Sequence, residues 1–231
     1  MLSIIIPAYN EEKRISKTLK DYYKFLQQNL KEEFEIIVVV NNSTDKTINI
    51  IKSYSKRFKN IIPIELNYYT GKGGAVIEGF INSLGDYVAF VDADNSIIPE
   101  EFWKLYERRE YYDVVISSRR IEGARVFPPR EVHNDLSSWL FNKVVRFSTG
   151  LKICDSQCGA KIFNRKVINK FLKYNDIEKG WSFDVDLLNI CKANSFIIKE
   201  QPINWEDSFG SKLTFKDSIK ATFKLFYLKE R

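Results

Sequence analysis

A chain of 231 residues with 44% hydrophobic and 29% charged side chains can bury a core and stay soluble, which excludes wholesale disorder. Its net charge of +6 suits an anionic partner (a nucleotide, a phosphate or an acidic membrane face) without choosing among them, and no nucleic-acid motif accompanies it. Three cysteines, Cys154, Cys158 and Cys191, and one histidine, His133, exclude a disulfide framework and a zinc site, fit a reducing setting, and leave acid–base work to carboxylates.

The chain opens on a short β-branched run, Leu2–Ile6, too short for a signal core. Ile15, Leu19, Tyr22, Leu26 and Leu30 then recur at helical spacing, and Glu35–Val40 reads as a second strand. A helix with Ile48, Ile51 and Phe58 on one face follows Asp45, and Ile61–Leu66 is a third strand. Gly71 to Gly74 opens a helix carrying Val76, Ile77, Phe80, Ile81 and Leu84; Tyr87–Val91 is a buried strand, Pro99 to Glu110 a helix, and Asp113–Ser117 a strand. Such a rhythm predicts an α/β fold, a largely parallel sheet with helices on both faces and ligands at the carboxyl ends of the strands.

Beyond residue 118 the pattern is less regular. Gly123 to Glu131 reads as a loop, Leu136–Phe147 as an aromatic-rich helix, and Gly159–Phe163 and Ser195–Asn204 as strands with helices between them. Phe215–Arg231 is amphipathic: Ile219, Phe223, Phe226 and Tyr227 line one face, which suits either anionic lipid or the protein's own core. No apolar run approaches the roughly 18 residues of a spanning helix, so membrane work is expected from a peripheral position. One domain over 1–231 is expected.

Asp92-Ala93-Asp94 follows the buried strand Tyr87–Val91. Residues two apart in extended chain share a side, so two carboxylates converge where Mg²⁺ or Mn²⁺ would meet a diphosphate; a capped polar turn gives the same letters. Gly71-Lys72-Gly73-Gly74 is either a phosphate cradle or a plain turn, and lacks the Walker A spacing. Asp155 lies in a turn as either a base or a local cap, and Asp184 with Asp186 opens a helix where solvated carboxylates are common. Arg119, Arg120, Arg125 and Arg130 form a cluster that suits phosphate or merely solvent. Trp205 with Gly210-Ser211-Lys212 reads as a polar loop.

Taken in order, SIIIPAYNEEKRI at Ser3–Ile15, NNSTDKT at Asn41–Thr47, GKGGAVIEG at Gly71–Gly79, VDADNS at Val91–Ser96, SSRR at Ser117–Arg120, CDSQCGAKIF at Cys154–Phe163, WSFDVDLL at Trp181–Leu188 and WEDSFGSKL at Trp205–Leu213 resemble the family 2 glycosyltransferases with a GT-A fold. Within these the chain looks like the polyprenyl- and dolichyl-phosphate sugar transferases, the dolichyl-phosphate glucosyltransferase branch above all. The resemblance implies a Rossmann-like sheet whose first half, 1–118, binds the nucleotide-sugar and whose second half, 119–231, binds the acceptor, with a C-terminal amphipathic helix. It implies inverting transfer, from UDP-glucose, to a lipid phosphate on the cytoplasmic face of a membrane; the alternatives are a mannosyl or N-acetylglucosaminyl transferase with another acceptor, or a non-catalytic nucleotide-sugar-binding protein. Pro7, Ala8, Tyr9, Asn10, Glu12 and Asn41 would hold the nucleoside, Lys72 would sit near the donor, and Asp92 and Asp94 would hold the metal. Arg119 and Arg130 would meet the acceptor phosphate, and Asp155 or Asp184 would act as base or orient the acceptor. Many relatives carry two aspartates and a glycine where this chain has Val40, Asn41 and Asn42, and the QxxRW motif of processive synthases is absent.

Overall fold

In the computed structural model, residues 1–128, 132–180 and 182–206 are described. Arg130, Trp181, the Gly210-Ser211-Lys212 motif and the amphipathic stretch Phe215–Arg231 lie outside them.

Nine strands and seven helices follow in order among these residues: β1 (Leu2–Ala8), α1 (Ile15–Asn29), β2 (Phe34–Asn41), α2 (Thr47–Arg57), β3 (Ile61–Leu66), α3 (Gly71–Asn82), β4 (Tyr87–Val91), α4 (Pro99–Tyr106), β5 (Val114–Ser118), β6 (Arg125–Phe127), α5 (Val132–Thr149), β7 (Ala160–Asn164), α6 (Arg165–Phe171), α7 (Phe183–Ala193), β8 (Ile198–Pro202) and β9 (Asn204–Glu206). Seven of the strands form one sheet in the order β3-β2-β1-β4-β7-β5-β8. All its pairings are parallel except those of β7, which runs antiparallel to β4 and β5.

The sheet carries a core on each face because the side-chain period of a strand is two. Ile4, Ile6, Ile36 and Val38 enter one core with Leu19 and Tyr22 of α1 and Phe102 of α4. Ile5, Ile37, Val39 and Phe90 enter the other with Phe80 of α3, Phe171 of α6 and Phe183 of α7. Coverage on both faces explains why β2 is apolar without a break from Ile36 to Val40 and has every residue buried.

Two features positioning the site were not foreseen. The stretch expected as a loop from Gly123 holds β6, which pairs in parallel with β9 and sets Val126 opposite Trp205. Trp205 is therefore strand, not loop, and the expected strand from Ser195 to Asn204 is split into β8 and β9 around the buried Ile203. Three-residue strands have too few positions to show a period, and their pairing is non-local.

From β1 the chain winds outward through β2 and β3, then crosses back to lay β4 on the other side of β1. The loops after β1 and β4 diverge at this switch point, where open α/β sheets place their ligands. Asn10, Asn42 and Asn95, just past β1, β2 and β4, have φ of 51°, 55° and 60°. Asparagine tolerates this left-handed region better than most residues, and it lets the chain turn off the sheet edge at once.

Candidate functional site

β4 ends at Val91, opposite Ala160 of the antiparallel β7. The segment entering β7 therefore arrives where Asp92 emerges. A β-carbon on Gly159 would lie 2.1 Å from Asp92 Oδ2, so that carboxylate rests on bare backbone. Its other oxygen, Oδ1, is 2.6 Å from Lys72 Nζ on the first turn of α3. Asp94 is half-buried and its Oδ1 accepts the Ser96 N–H at 3.0 Å.

Beneath them lies a second ion pair. Lys161 is fully buried, with Nζ 2.5 Å from Asp184 Oδ1 and 2.9 Å from the Cys158 carbonyl oxygen, to which it donates. The ammoniums of Lys72 and Lys161 stand 5.9 and 5.1 Å from the centroid of the same Phe90 ring. Asp184 and Asp186 are both buried, not solvated; Asp186 Oδ2 accepts the Glu178 N–H at 2.9 Å.

Burial pushes the Asp92 carboxyl up; Lys72 opposes this, while the like charges of Asp94 and Asp184 reinforce it and leave it above the usual carboxylate range. Burial lowers Lys72, but Asp92 and Asp184 outweigh it and hold the ammonium up at about 12. Surplus negative field on hard oxygen donors fits a divalent cation. Among the described residues no three His, Cys, Asp or Glu side chains converge on one point. Asp92 and Asp94 thus suit an ion whose shell is completed by phosphate oxygens rather than an all-protein cage.

Arg119 leaves the end of β5 and Asp155 the turn before β7. Arg119 Nε and its backbone N–H donate to Asp155 Oδ2 at 2.7 and 3.0 Å, and Nη2 donates to Oδ1 at 2.9 Å. The carboxylate is fully buried and the guanidinium lies 5.4 Å from the Trp205 ring. Burial alone raises Asp155, but the Arg119 charge and its hydrogen bonds hold the carboxyl below its ordinary value. A group held ionised with both oxygens engaged is a weak general base. Its geometry is that of an anchor, leaving the Nη1 edge of Arg119 without a hydrogen-bond partner among the described residues. Glu200 fixes the turn by accepting the N–H groups of Cys154 and Asp155 at 2.9 and 3.1 Å. Asn142 of α5 accepts from Ser156 N and Oγ, both at 2.9 Å.

The loops after β1 and β2 are laced together. Asn10 Oδ1 accepts the Thr44 N–H at 2.8 Å, the Glu12 carboxylate accepts the Lys46 N–H at 3.0 Å, and Asp45 Oδ2 accepts the Glu12 N–H at 3.1 Å. Asn41 is buried: its Nδ2 donates to the Gly71 carbonyl at 3.0 Å and its Oδ1 accepts the Thr70 N–H at 2.9 Å. Asn10, Glu12 and Asn41 thus hold the loops, whereas Tyr9, beyond Pro7 and the buried Ala8, presents an exposed ring edge-on to Tyr69 at 5.2 Å. Gly71, at φ 77°, packs against the Lys179 carbonyl, and the Gly74 N–H donates to that same oxygen at 2.9 Å. The glycine motif therefore serves packing, with that N–H already spent inside the protein.

Residues 3–172 match the model of glycosyl transferase family 2. The chain belongs to that family. This family 2 glycosyltransferase is 33% identical to dolichyl-phosphate beta-glucosyltransferase of Saccharomyces cerevisiae, over 99% of this chain and 74% of the relative. It is 32% identical to the enzyme of that name from Dictyostelium discoideum, over 95% and 71%. Among solved structures, glucosyl-3-phosphoglycerate synthase of Mycobacterium tuberculosis, in complex with Mn²⁺, UDP-glucose and phosphoglyceric acid, aligns with a TM-score of 0.72 at 17% identity, over 99% of this chain and 79% of that one. That likeness is one of fold and makes the family 2 domain a GT-A fold. No helix among the described residues is long and apolar enough to cross a membrane.

The family motifs point to Asp92, Asp94, Arg119, Asp155 and Asp184; Lys161 lies within one of them without a role being read for it, and Glu200 and Tyr69 lie outside them all. Lys161 left one signal: a lysine between the apolar Ala160 and Ile162-Phe163 of β7, two residues past Gly159. Gly159→Ala is expected to lower kcat/KM by about 10²-fold, because the new methyl group must push the Asp92 carboxylate out of line. Steady-state kinetics beside a thermal melt check this; an unchanged kcat/KM would show that Asp92 needs no such support.

Proposed function

We propose that this glycosyltransferase transfers glucose from UDP-glucose to dolichyl or another polyprenyl phosphate, with inversion to a β-linked lipid-phosphate sugar. The observation that carries the reading is the meeting of two charged stations on one sheet edge. Asp92 and Asp94 with Lys72 suit a metal-bound diphosphate, and Arg119, fastened by Asp155, suits a second anion; the Asp92 charge already reaches Arg119. The relatives named above supply the sugar and the lipid, and the Mn²⁺ complex of the fold neighbour supports a divalent ion, Mg²⁺ or Mn²⁺.

In this reading Tyr9 and Tyr69 offer aromatic surface to the nucleobase. Asp92 and Asp94 hold the ion, which when bound neutralises charge on the departing diphosphate. The free edge of Arg119 orients the lipid phosphate, with Arg130 as an expected second contact. That phosphate is already an anion, so its oxygen needs no base to attack the anomeric carbon, and Asp155 positions Arg119 rather than taking a proton. Asp184 keeps the buried Lys161 paired below the donor site.

The test is transfer. The protein is incubated with Mn²⁺ or Mg²⁺, a short polyprenyl phosphate, phosphoglyceric acid as a soluble competitor, and a panel of UDP- and GDP-sugars. Lipid-linked glucose from UDP-glucose, abolished by EDTA, is the expected result. Transfer from another donor would reassign the sugar, and transfer only to phosphoglyceric acid would overturn the lipid acceptor.

A peripheral membrane position on the cytoplasmic face fits this acceptor. α5 carries Trp139 and Phe147 at the surface, and Lys143, Arg146, Phe147, Leu151 and Lys152 line a cavity of about 780 Å³, a mixed basic and apolar lining suited to anionic lipid. Phe147→Glu is expected to reduce co-sedimentation with phosphatidylserine vesicles several-fold and leave nucleotide-sugar binding intact; unchanged sedimentation would move the lipid contact elsewhere.

A further inference from the structure

Two carboxylates on one turn repel each other, and the like charge of Asp94 is among the forces acting on Asp92. A turn that presents both to a cation before the cation arrives needs holding. The face of α1 that packs beneath it supplies the hold. Thr18, Asp21 and Tyr22 stand at i, i+3 and i+4 of the helix, on one side of it, and they meet every second residue of the acidic turn. Thr18 Oγ1 donates to the Ala93 carbonyl at 2.7 Å, Asp21 Oδ2 accepts from Asn95 Nδ2 at 3.0 Å, and the Tyr22 hydroxyl donates to the Ile97 carbonyl at 2.7 Å. A helical threonine can turn its hydroxyl back to the carbonyl four residues earlier. Here that carbonyl, of Arg14, is 3.4 Å away, so the shorter bond goes to Ala93. The Ala93 carbonyl belongs to the peptide that leads into Asp94, and the Ile97 carbonyl to the peptide that leads into Ile98, the N-cap of α4. Thr18 and Tyr22 are fully buried, so water does not compete for either bond. Burial, and then the charges of Asp92 and Asp94, push the Tyr22 phenol well up, which keeps its O–H a donor.

We propose that Thr18 and Tyr22 are positioning residues for the metal pair, a role that rests on the reading of Asp92 and Asp94 as that pair. They pin the backbone on either side of Asp94, so that both carboxylates already face one point when a diphosphate arrives with its cation. Without either bond the turn must be ordered at the moment of binding, and the cation adds less to diphosphate affinity.

The experiment is UDP binding to the whole chain by titration calorimetry, once with Mn²⁺ and once with EDTA; the ratio of the two affinities is the gain that the cation supplies. Thr18→Val and Tyr22→Phe, which keep shape and lose the hydroxyl, are each expected to cut that gain about 3- to 10-fold and to leave the affinity in EDTA at the parent's value. Thr18→Ser, which keeps the hydroxyl, should keep the gain. So should Tyr54→Phe, which removes a hydroxyl bonded to Ser16 of the same helix, away from the acidic turn. Each variant tests its own bond: one whose gain matches the parent's, or whose affinity in EDTA falls as far as its affinity with Mn²⁺, strikes that residue from the role. A gain lost equally in Tyr54→Phe would make the effect a general loosening of α1 and overturn the proposal. Asp94→Asn separates the two readings. If it keeps the gain, or if the parent shows none, the metal pair itself is wrong and the proposal falls with it; if it loses the gain while Thr18→Val and Tyr22→Phe keep it, only the positioning role fails. Thermal melts of the same samples show that the fold has survived, and Tyr22→Phe, which leaves the ring in its packing, carries the test if Thr18→Val does not fold.

Discussion

Asp94→Asn is expected to lower kcat by about 10²- to 10³-fold, the range seen when one preorganised charge-stabilising group is removed, while the melting temperature moves by no more than a few degrees. The two expectations differ because Asp94 does different things for the fold and for the chemistry. For the fold it is a half-buried residue whose Oδ1 accepts one N–H, from Ser96 at 3.0 Å, and an asparagine oxygen accepts the same bond. For the chemistry it supplies half of a carboxylate pair that a divalent ion needs in order to sit against a diphosphate. Asparagine keeps the shape and removes the charge. Kinetics with Mn²⁺ or Mg²⁺, beside a thermal melt of the same preparation, check it. A variant with parental kcat would detach Asp94 from the metal, and one that fails to fold would make the residue structural.

Asp155→Ala is expected to cost stability first. It would take a fully buried carboxylate away from the largely buried Arg119 side chain, 12% exposed, and strip three hydrogen bonds, from Arg119 Nε, Nη2 and backbone N–H, while leaving the positive charge behind. Breaking a buried pair from one side typically costs about 3–5 kcal/mol. In a domain of this size each kcal/mol shifts the melting temperature by about 2–4 °C. A fall of roughly 6–20 °C should follow, measured by calorimetry or dichroism. Activity should fall with it, since Arg119 loses its anchor.

The same pair sets a pH dependence. Asp155 has a depressed folded-state pKa, so in the unfolded chain it binds protons more readily than in the native state. Its contribution is complete above the unfolded value of about 4 and is lost as pH falls through the lower folded value. Acid melts of the parent should steepen in that window, and the steepening should be absent from Asp155→Ala. Identical acid profiles would show that the pair carries no linkage.

Much of this architecture is legible in the letters. Ile61–Leu66 and Tyr87–Val91 are strands with the bounds their β-branched and apolar runs predict, and the 3.6-residue recurrence from Ile15 places α1. These are local signals: a period of two or 3.6 is visible wherever one element is long enough to display it. β6 and β9, three residues each, display none, and they exist because they pair with each other. The burial of Asp184 and Asp186 was hidden for the same reason, since their partners, Lys161 and the Glu178 N–H, lie outside α7.

The sequence by itself determined that this is a parallel α/β chain with paired carboxylates at the end of a buried strand, because strand period, strand-end polarity and motif order are properties of short stretches. Only the tertiary structure decided what those carboxylates touch. β7 inserts antiparallel between β4 and β5, so the turn carrying Asp155 and Gly159 is delivered to the edge where Asp92 and Arg119 emerge. Lys72 is set on Asp92, and Lys161 on Asp184, by helices and strands far apart in the chain. Desolvation and Coulomb forces depend on those distances through space, and nothing in the spacing of residues along the chain reports them.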